Sequence, residues 1–97
     1  MDLRFVDLRR FAIDRRVEIK IRDSNTDRVV LINTRGQARI PDENRDFSVE
    51  DVIASADDFA ISGDGNPQSF NRVQMALVVQ ERLVSRGFSM ATKDDEE

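Results

Sequence analysis

The sequence predicts a small two-layer α+β domain, in which an antiparallel β-meander is followed by a helix, a strand and a second helix. Three patterns indicate it. Apolar and charged residues alternate over 16–22, a β-branched run follows at 29–32, and apolar residues recur at helical spacing over 67–86. We expect both helices to cover one face of the sheet. The 97 residues suffice for one domain, which we place at 1–91, with an acidic, disordered tail at 92–97.

Residues 1–13 are compatible with either a helix or a strand. Phe5, Leu8 and Phe11 recur at helical spacing, and Asp2 could cap a helix there. The segment also contains a broken alternation of apolar residues, which is typical of a strand. We favour a strand for part of this segment, because the residues that follow are extended.

The meander begins with the strand at 16–22, in which Ile19 and Ile21 point to one face and charged residues to the other. The apolar run at 29–32 predicts a central strand that is buried on both faces. Residues 37–40 are expected to form a short third strand, which ends at a proline because proline cannot donate to the ladder.

The first helix after the meander has a complete start signal. Ser48 is the candidate N-cap, and Asp51 three residues later completes a capping box. Phe47 and Val52 fit a hydrophobic staple around this start. The helix should end near residues 57–58.

A short strand at 59–62 and a glycine-containing turn should lead into the second helix. Asn66 and Pro67 form a good pair of N-cap and first helical residue. We therefore expect the helix to begin at the proline and to end at Gly87, which tolerates a positive φ.

The second helix carries more apolar surface than one sheet face can cover. Its predicted inner stripe includes Phe70, Val73 and Leu77. The apolar residues beyond that stripe need a second cover, which could be the first helix, the N-terminal segment or another protein chain. We predict an interaction surface here, for a protein partner or for self-association, formed by Met75, Val78, Val79 and Arg82.

The composition limits the chemistry of the chain. It contains no Cys, His, Trp or Tyr, which excludes disulfides, thiolate nucleophiles and the commonest metal ligand. We expect no cofactor, no bound metal and no enzymatic activity. No segment approaches the ~20 apolar residues that span a bilayer, and the first residues lack a signal-peptide pattern, so we expect a cytoplasmic protein.

The net charge of −4 is unevenly distributed. Residues 1–45 carry eleven basic and eight acidic side chains (+3), and residues 46–97 carry four and eleven (−7). The alternative function is therefore nucleic-acid or phosphate binding by an Arg-rich face of the N-terminal sheet, because guanidinium groups fork onto phosphate oxygens. The simpler interpretation is a solvated face of alternating charges. The candidate residues are Arg9, Arg10, Arg15, Arg16, Lys20 and Arg22.

A weaker candidate site is the turn before the second helix. Backbone amides of Gly63, Gly65 and Asn66, with a helix N-terminus behind them, could hold an anion. An ordinary capping turn is the simpler interpretation, since Asp64 would repel an anion and no lysine is placed for a phosphate. The neighbouring carboxylates at 57–58 are expected to serve helix-end and turn structure.

The order of strand, glycine turn and long helix over residues 58–88 is similar in layout to a segment of the Alba-type chromatin proteins. Only the order of elements is shared, and no sequence motif accompanies it. We therefore assign no family and transfer no residue role.

Overall fold

The computed structural model describes residues 2–42, 46–63 and 66–87, with side chains as far as Glu81. Over these ranges the chain forms three helices and one five-stranded antiparallel sheet, which confirms the predicted α+β class. The predicted acidic tail lies outside the described residues. The elements, in chain order, are α1 (Phe5–Arg15), β1 (Glu18–Asp23), β2 (Arg28–Ile32), β3 (Ala38–Arg39), α2 (Val49–Ser55), β4 (Asp58–Ser62), β5 (Gln68–Asn71) and α3 (Arg72–Gly87).

The strand order of the sheet is β3-β2-β1-β4-β5, so β1 lies at its centre. Ile21 of β1 pairs with Val30 of β2 on one side and with Phe59 of β4 on the other. Directly paired residues of antiparallel strands point to the same face. All three side chains are fully buried, and they form the floor of the core.

The helices all pack on this buried face of the sheet. Leu8 of α1, Val52 of α2 and Met75 of α3 belong to one core cluster together with Ile21 and Phe59. None of the described helices packs on the opposite face, which we call the open face of the sheet. The prediction that β2 is buried on both faces is therefore wrong, because the strand buries only alternate residues.

The N-terminal segment is a helix, which corrects the preference for a strand. In helical geometry Leu8, Phe11 and Ala12 project together into the core and are almost completely buried. Asp2 does not cap the helix, whose N-cap is Arg4 without a side-chain hydrogen bond. Arg16 ends α1 in the left-handed conformation and turns the chain into β1, so it does not belong to the strand.

The capping box of α2 is confirmed. The Ser48 hydroxyl accepts a hydrogen bond from the backbone N–H of Asp51, and the Asp51 carboxylate accepts one from the N–H of Ser48, both at 3.1 Å. These bonds satisfy two amides that the first turn of a helix leaves without partners. The helix ends at Ser55, slightly before the predicted position.

The start of α3 corrects the predicted helix boundary. Residues 68–71 form β5 at the edge of the sheet, where Phe70 pairs with Phe59. The helix begins only after Asn71. The side-chain oxygen Oδ1 of Asn71 accepts from the backbone N–H of Gln74, and the backbone N–H of Asn71 donates to Oε1 of Gln74, both at 2.8 Å. This reciprocal pair is the helix start signal that Asn66 and Pro67 do not provide.

Arg72 joins the first turn of α3 to the last turn of α2. Its Nη1 atom donates to the carbonyl oxygens of Ile53 at 2.7 Å and of Ala56 at 2.9 Å. Carbonyl groups in the last turn of a helix have no partner within the helix, and a cation there also suits the negative end of the dipole. One guanidinium group thus caps α2 and fixes it against α3.

We expect Arg72→Ala to lower the free energy of unfolding by about 1–3 kcal/mol, because two partly buried carbonyl groups lose their donor. Urea unfolding of both proteins measures the difference. Arg39→Ala is the matched control, since Arg39 is exposed, and it should change the stability by at most about 0.5 kcal/mol. An equal effect of the two substitutions would contradict the capping role.

Candidate functional site

The predicted partner-binding residues of α3 do not form an accessible surface. Met75 and Val79 have no solvent exposure and belong to the core, and Val78 is partly buried against it. The side chain of Arg82 lies outside the described residues. The prediction was wrong for Met75 and Val79, because it placed Val73 and Leu77 on the side of the helix that faces the sheet.

The solvent-facing side of α3 carries the apolar residues that were expected in the core. Val73 is 69% exposed and Leu77 is 61% exposed. At about 100° per residue, Val73 lies about 200° from Met75, on the opposite side of the helix. We call Val73, Leu77 and the exposed Gln80 the outer face of α3.

The outer face of α3 is the most exposed apolar surface in the part of the chain that the structure describes. Its two large side chains are four residues apart and therefore stack on consecutive turns. Single exposed apolar residues are ordinary, whereas neighbouring ones on one helix form a larger apolar patch, and large apolar patches are typical of interaction sites. This face is the first candidate site.

The basic residues proposed for nucleic-acid binding are divided between two surfaces. Arg9 and Arg10 are exposed on α1, which packs on the covered side of the sheet, and Arg15 lies over the ring of Phe11 at 5.5 Å. Arg16 caps the same helix. These four arginines belong to α1 and its C-cap and do not lie on the sheet. The six predicted residues therefore do not form one basic sheet surface.

Lys20 and Arg22 do project from the open face of the sheet. The Arg22 guanidinium is engaged by two carboxylates, at 3.3 Å from Asp27 and 3.7 Å from Asp58. Lys20 pairs with Leu31, and Leu31 with Arg39.

Lys20, Leu31 and Arg39 line a shallow depression of about 560 Å³ on the open face. Glu18 lines it too and offsets part of the positive charge. No aromatic side chain of the described strands lies on this face, although stacking on aromatic rings is the usual means of holding single-stranded nucleic acid.

A second mixed surface lies on α1. Val6, Arg9, Arg10, Ile13 and Asp14 line a groove of about 300 Å³, which we call the α1 groove. Val6 is 48% exposed and Ile13 is 41% exposed, and both arginines are exposed as well. The groove therefore combines apolar side chains with two guanidinium groups.

The glycine loop does not have the geometry of an anion site. Gly63 and Asn66 are exposed, and Gly65 lies outside the described residues. The loop connects β4 to β5 and is followed by a strand, so no helix N-terminus lies directly behind it. The helix dipole that was expected to favour an anion there is absent from this position.

The carboxylate of Asp57 ties the β1–β2 turn to the start of β4. Both the backbone N–H, at 2.9 Å, and the hydroxyl of Ser24 donate to it. The Ser24 hydroxyl, and then its N–H, lower the pKa of Asp57 below the ordinary value of 3.8. In the same region, the hydroxyl of Ser55 lowers the pKa of the buried Asp23.

No cluster of acidic residues in the described ranges has the arrangement of a metal site. Over the same residues, no helix is long and apolar enough to cross a membrane. Comparison with protein-family models, with curated proteins and with solved structures found no match. The candidate sites therefore rest on the geometry of this chain.

The lowered pKa values of Asp57 and Asp23 make the free energy of unfolding depend on pH in the acidic range. In the window between the lowered pKa values and 3.8, the unfolded chain binds more protons than the folded one, so stability rises with pH and is complete above 3.8. We expect the urea midpoint to fall as the pH drops through this window. Asp57→Asn and Ser24→Ala should each flatten this pH dependence; an unchanged dependence in both would contradict the assignment.

Proposed function

We propose that this protein is a non-catalytic interaction module that binds a protein partner through the outer face of α3. The exposure of Val73 and Leu77 on consecutive turns carries the proposal. The helix that presents them is held in two ways: Met75 and Val79 anchor it in the core, and Arg72 at its start binds α2. A rigid element loses little conformational entropy when it binds a partner.

A second copy of the chain is the partner we propose to test first. An isologous contact places the same surface of two subunits across a two-fold axis. An axis crossing α3 between Val73 and Leu77 would bring the two apolar side chains of one copy against those of the other. Gln80 at the margin is uncharged, and the exposed Glu81, one turn beyond Leu77, lies about 9 Å along the helix from such an axis.

Two observations support a non-catalytic role: the residue types that the sequence lacks, and the structural contacts that its carboxylates make. The sequence offers no His or Cys as base or nucleophile. Three carboxylates near the β1–β2 turn engage structural partners: Asp57 binds Ser24, Asp58 lies beside Arg22, and Asp23 accepts from Ser55. A cysteine-free chain suits the reducing cytoplasm, which we propose as its location.

We expect Leu77→Asp to weaken self-association about tenfold or more, because a desolvated carboxylate replaces an apolar contact at the centre of the interface. Analytical ultracentrifugation over a range of protein concentrations measures the dissociation constant. The fold should be unaffected, since Leu77 makes no contribution to the core.

Val6→Asp is the matched control, because it places the same charge at an exposed apolar residue of a different helix. It should leave the dissociation constant unchanged. A wild-type chain that is monomeric at every concentration would exclude the second copy, and equal association of the Leu77→Asp variant would exclude this face.

A further inference from the structure

The sheet ends on one side at β3. The strand order is β3-β2-β1-β4-β5, so within the described residues no strand pairs with the outer side of β3. An edge strand directs the backbone N–H and C=O groups of alternate residues away from the sheet, where they can bind a further strand. We call the outer side of residues 37–40 the β3 edge.

The register identifies the outward groups of the β3 edge. The N–H of Asn33 donates to the carbonyl oxygen of Gln37 at 3.0 Å, which makes this a hydrogen-bonded pair. Hydrogen-bonded and non-hydrogen-bonded pairs alternate along an antiparallel ladder. In the next pair, Ile32 and Ala38, the N–H and C=O groups of Ala38 therefore point away from β2. The same alternation directs the groups of Ile40 outward.

The opposite edge of the sheet, formed by β5, offers fewer donors. The N–H of Asn71 donates to the side chain of Gln74 at 2.8 Å, so it points away from β4 and already has a partner. By alternation, Ser69 also directs its N–H outward. Pro67, two residues earlier, has no N–H to donate. Ser69 thus provides the available N–H of the described part of this edge, whereas β3 provides two outward N–H groups.

Four cations surround the β3 edge. Arg39 and Lys20 lie on its open-face side, where both line the depression described above. The exposed Arg35 lies in the turn that leads into β3. Arg9 lies on the helix side of the same turn, so close to Gly36 that a Cβ atom there would be 2.6 Å from Arg9 Cγ. Positive charge is therefore present on both faces of the edge.

This positive charge exceeds the negative charge beside it. Glu18 lines the same depression, and Asp42, which follows shortly after β3, already has a partner of its own. None of the four cations makes an ion pair within the described residues. The β3 edge is thus suited to a ligand that carries carboxylates on both of its faces, since guanidinium groups form paired hydrogen bonds with carboxylates.

The turn before β3 holds the edge in position. The side-chain oxygen of Asn33 accepts from the backbone N–H of Arg35 at 2.9 Å and from that of Gln37 at 3.0 Å. The amide group of the same side chain donates to the side chain of Gln37 at 2.9 Å. An edge that is ordered before binding loses little conformational entropy when a ligand binds.

We propose that the β3 edge binds an extended, acidic segment of a partner protein, which adds to the sheet as a sixth strand. In strand addition, main-chain hydrogen bonds hold the segment, and its side chains project alternately to the two faces. Because β3 has only two residues, the main-chain bonds are few and the guanidinium groups provide much of the affinity. This inference is independent of the function proposed for α3.

Two other occupants fit the β3 edge less well. If two copies of the chain paired antiparallel through Ala38 and Ile40, Arg39 of one copy would lie opposite Arg39 of the other, and like charges there are destabilising. A nucleic-acid backbone would meet the charges, but its phosphate oxygens only accept hydrogen bonds and leave the C=O group of Ala38 without a donor. An added peptide strand binds both backbone groups and the cations.

A titration of the full-length, ¹⁵N-labelled chain tests the proposal. The probe is the peptide Glu-Glu-Val-Val-Glu-Glu-Val-Val-Glu-Glu, blocked at both ends, which places carboxylates on both faces of a strand. We expect saturable shifts of the amide signals of Ala38, Arg39 and Ile40. At saturation, hydrogen exchange of the Ala38 and Ile40 amides should slow about tenfold or more, because both become hydrogen-bonded.

The matched control peptide has proline in place of each valine. It keeps every charge but cannot form the ladder, so we expect it to bind about tenfold more weakly. On the protein side, Arg39→Gln should weaken binding of the valine peptide about three- to fivefold, as for an exposed ion pair. Arg22→Gln removes the same charge from the open face, but Arg22 is engaged by Asp27 and Asp58, and the affinity should not change.

Three results would overturn the inference. The valine peptide could leave the amides of residues 37–40 unshifted at millimolar concentration. Equal affinity of the proline peptide would show that charge alone is recognised and that no strand is added. A ten-nucleotide oligothymidylate is the third probe, and if it shifted these amides at lower concentration than the valine peptide, the edge would be assigned to nucleic acid instead.

Discussion

The burial of one face of β1 is the constraint on which the rest of this structure depends. Ile19 and Ile21 are 1% and 0% exposed at the centre of the sheet, and each has a buried or half-buried partner on both neighbouring strands. All three helices must meet this face, because the other side of β1 carries Lys20 and other polar groups. The open sheet face follows directly from that arrangement.

The same constraint sets the orientation of α3. Its sequence is apolar on both sides, so periodicity alone did not distinguish Met75 and Val79 from Val73 and Leu77. In the structure, α3 contacts β4, β5 and α1, and it is Met75 and Val79 that are buried there. The candidate binding surface is thus the side of the helix that the sheet does not use, and it could be located only after the inner side was known.

Local signals made part of the fold predictable. The alternation in β1 and the box formed by Ser48 and Asp51 are encoded within a few residues, and both are present. The strand β5 depends on pairing with β4, which overrides the local helix-start signal at Pro67. The clamp of Arg72 on α2 joins residues that are 16 and 19 positions apart, and no spacing rule indicates such a contact.

The free energies of unfolding of Met75→Ala and Leu77→Ala test the orientation of α3 most directly. We expect Met75→Ala to lower the free energy of unfolding by about 2–5 kcal/mol, since it leaves a cavity in the core. Leu77→Ala should change the stability by at most about 0.5 kcal/mol, because its side chain is largely exposed. The reverse order would place Leu77 in the core and contradict both the fold of this helix and the surface assigned to it.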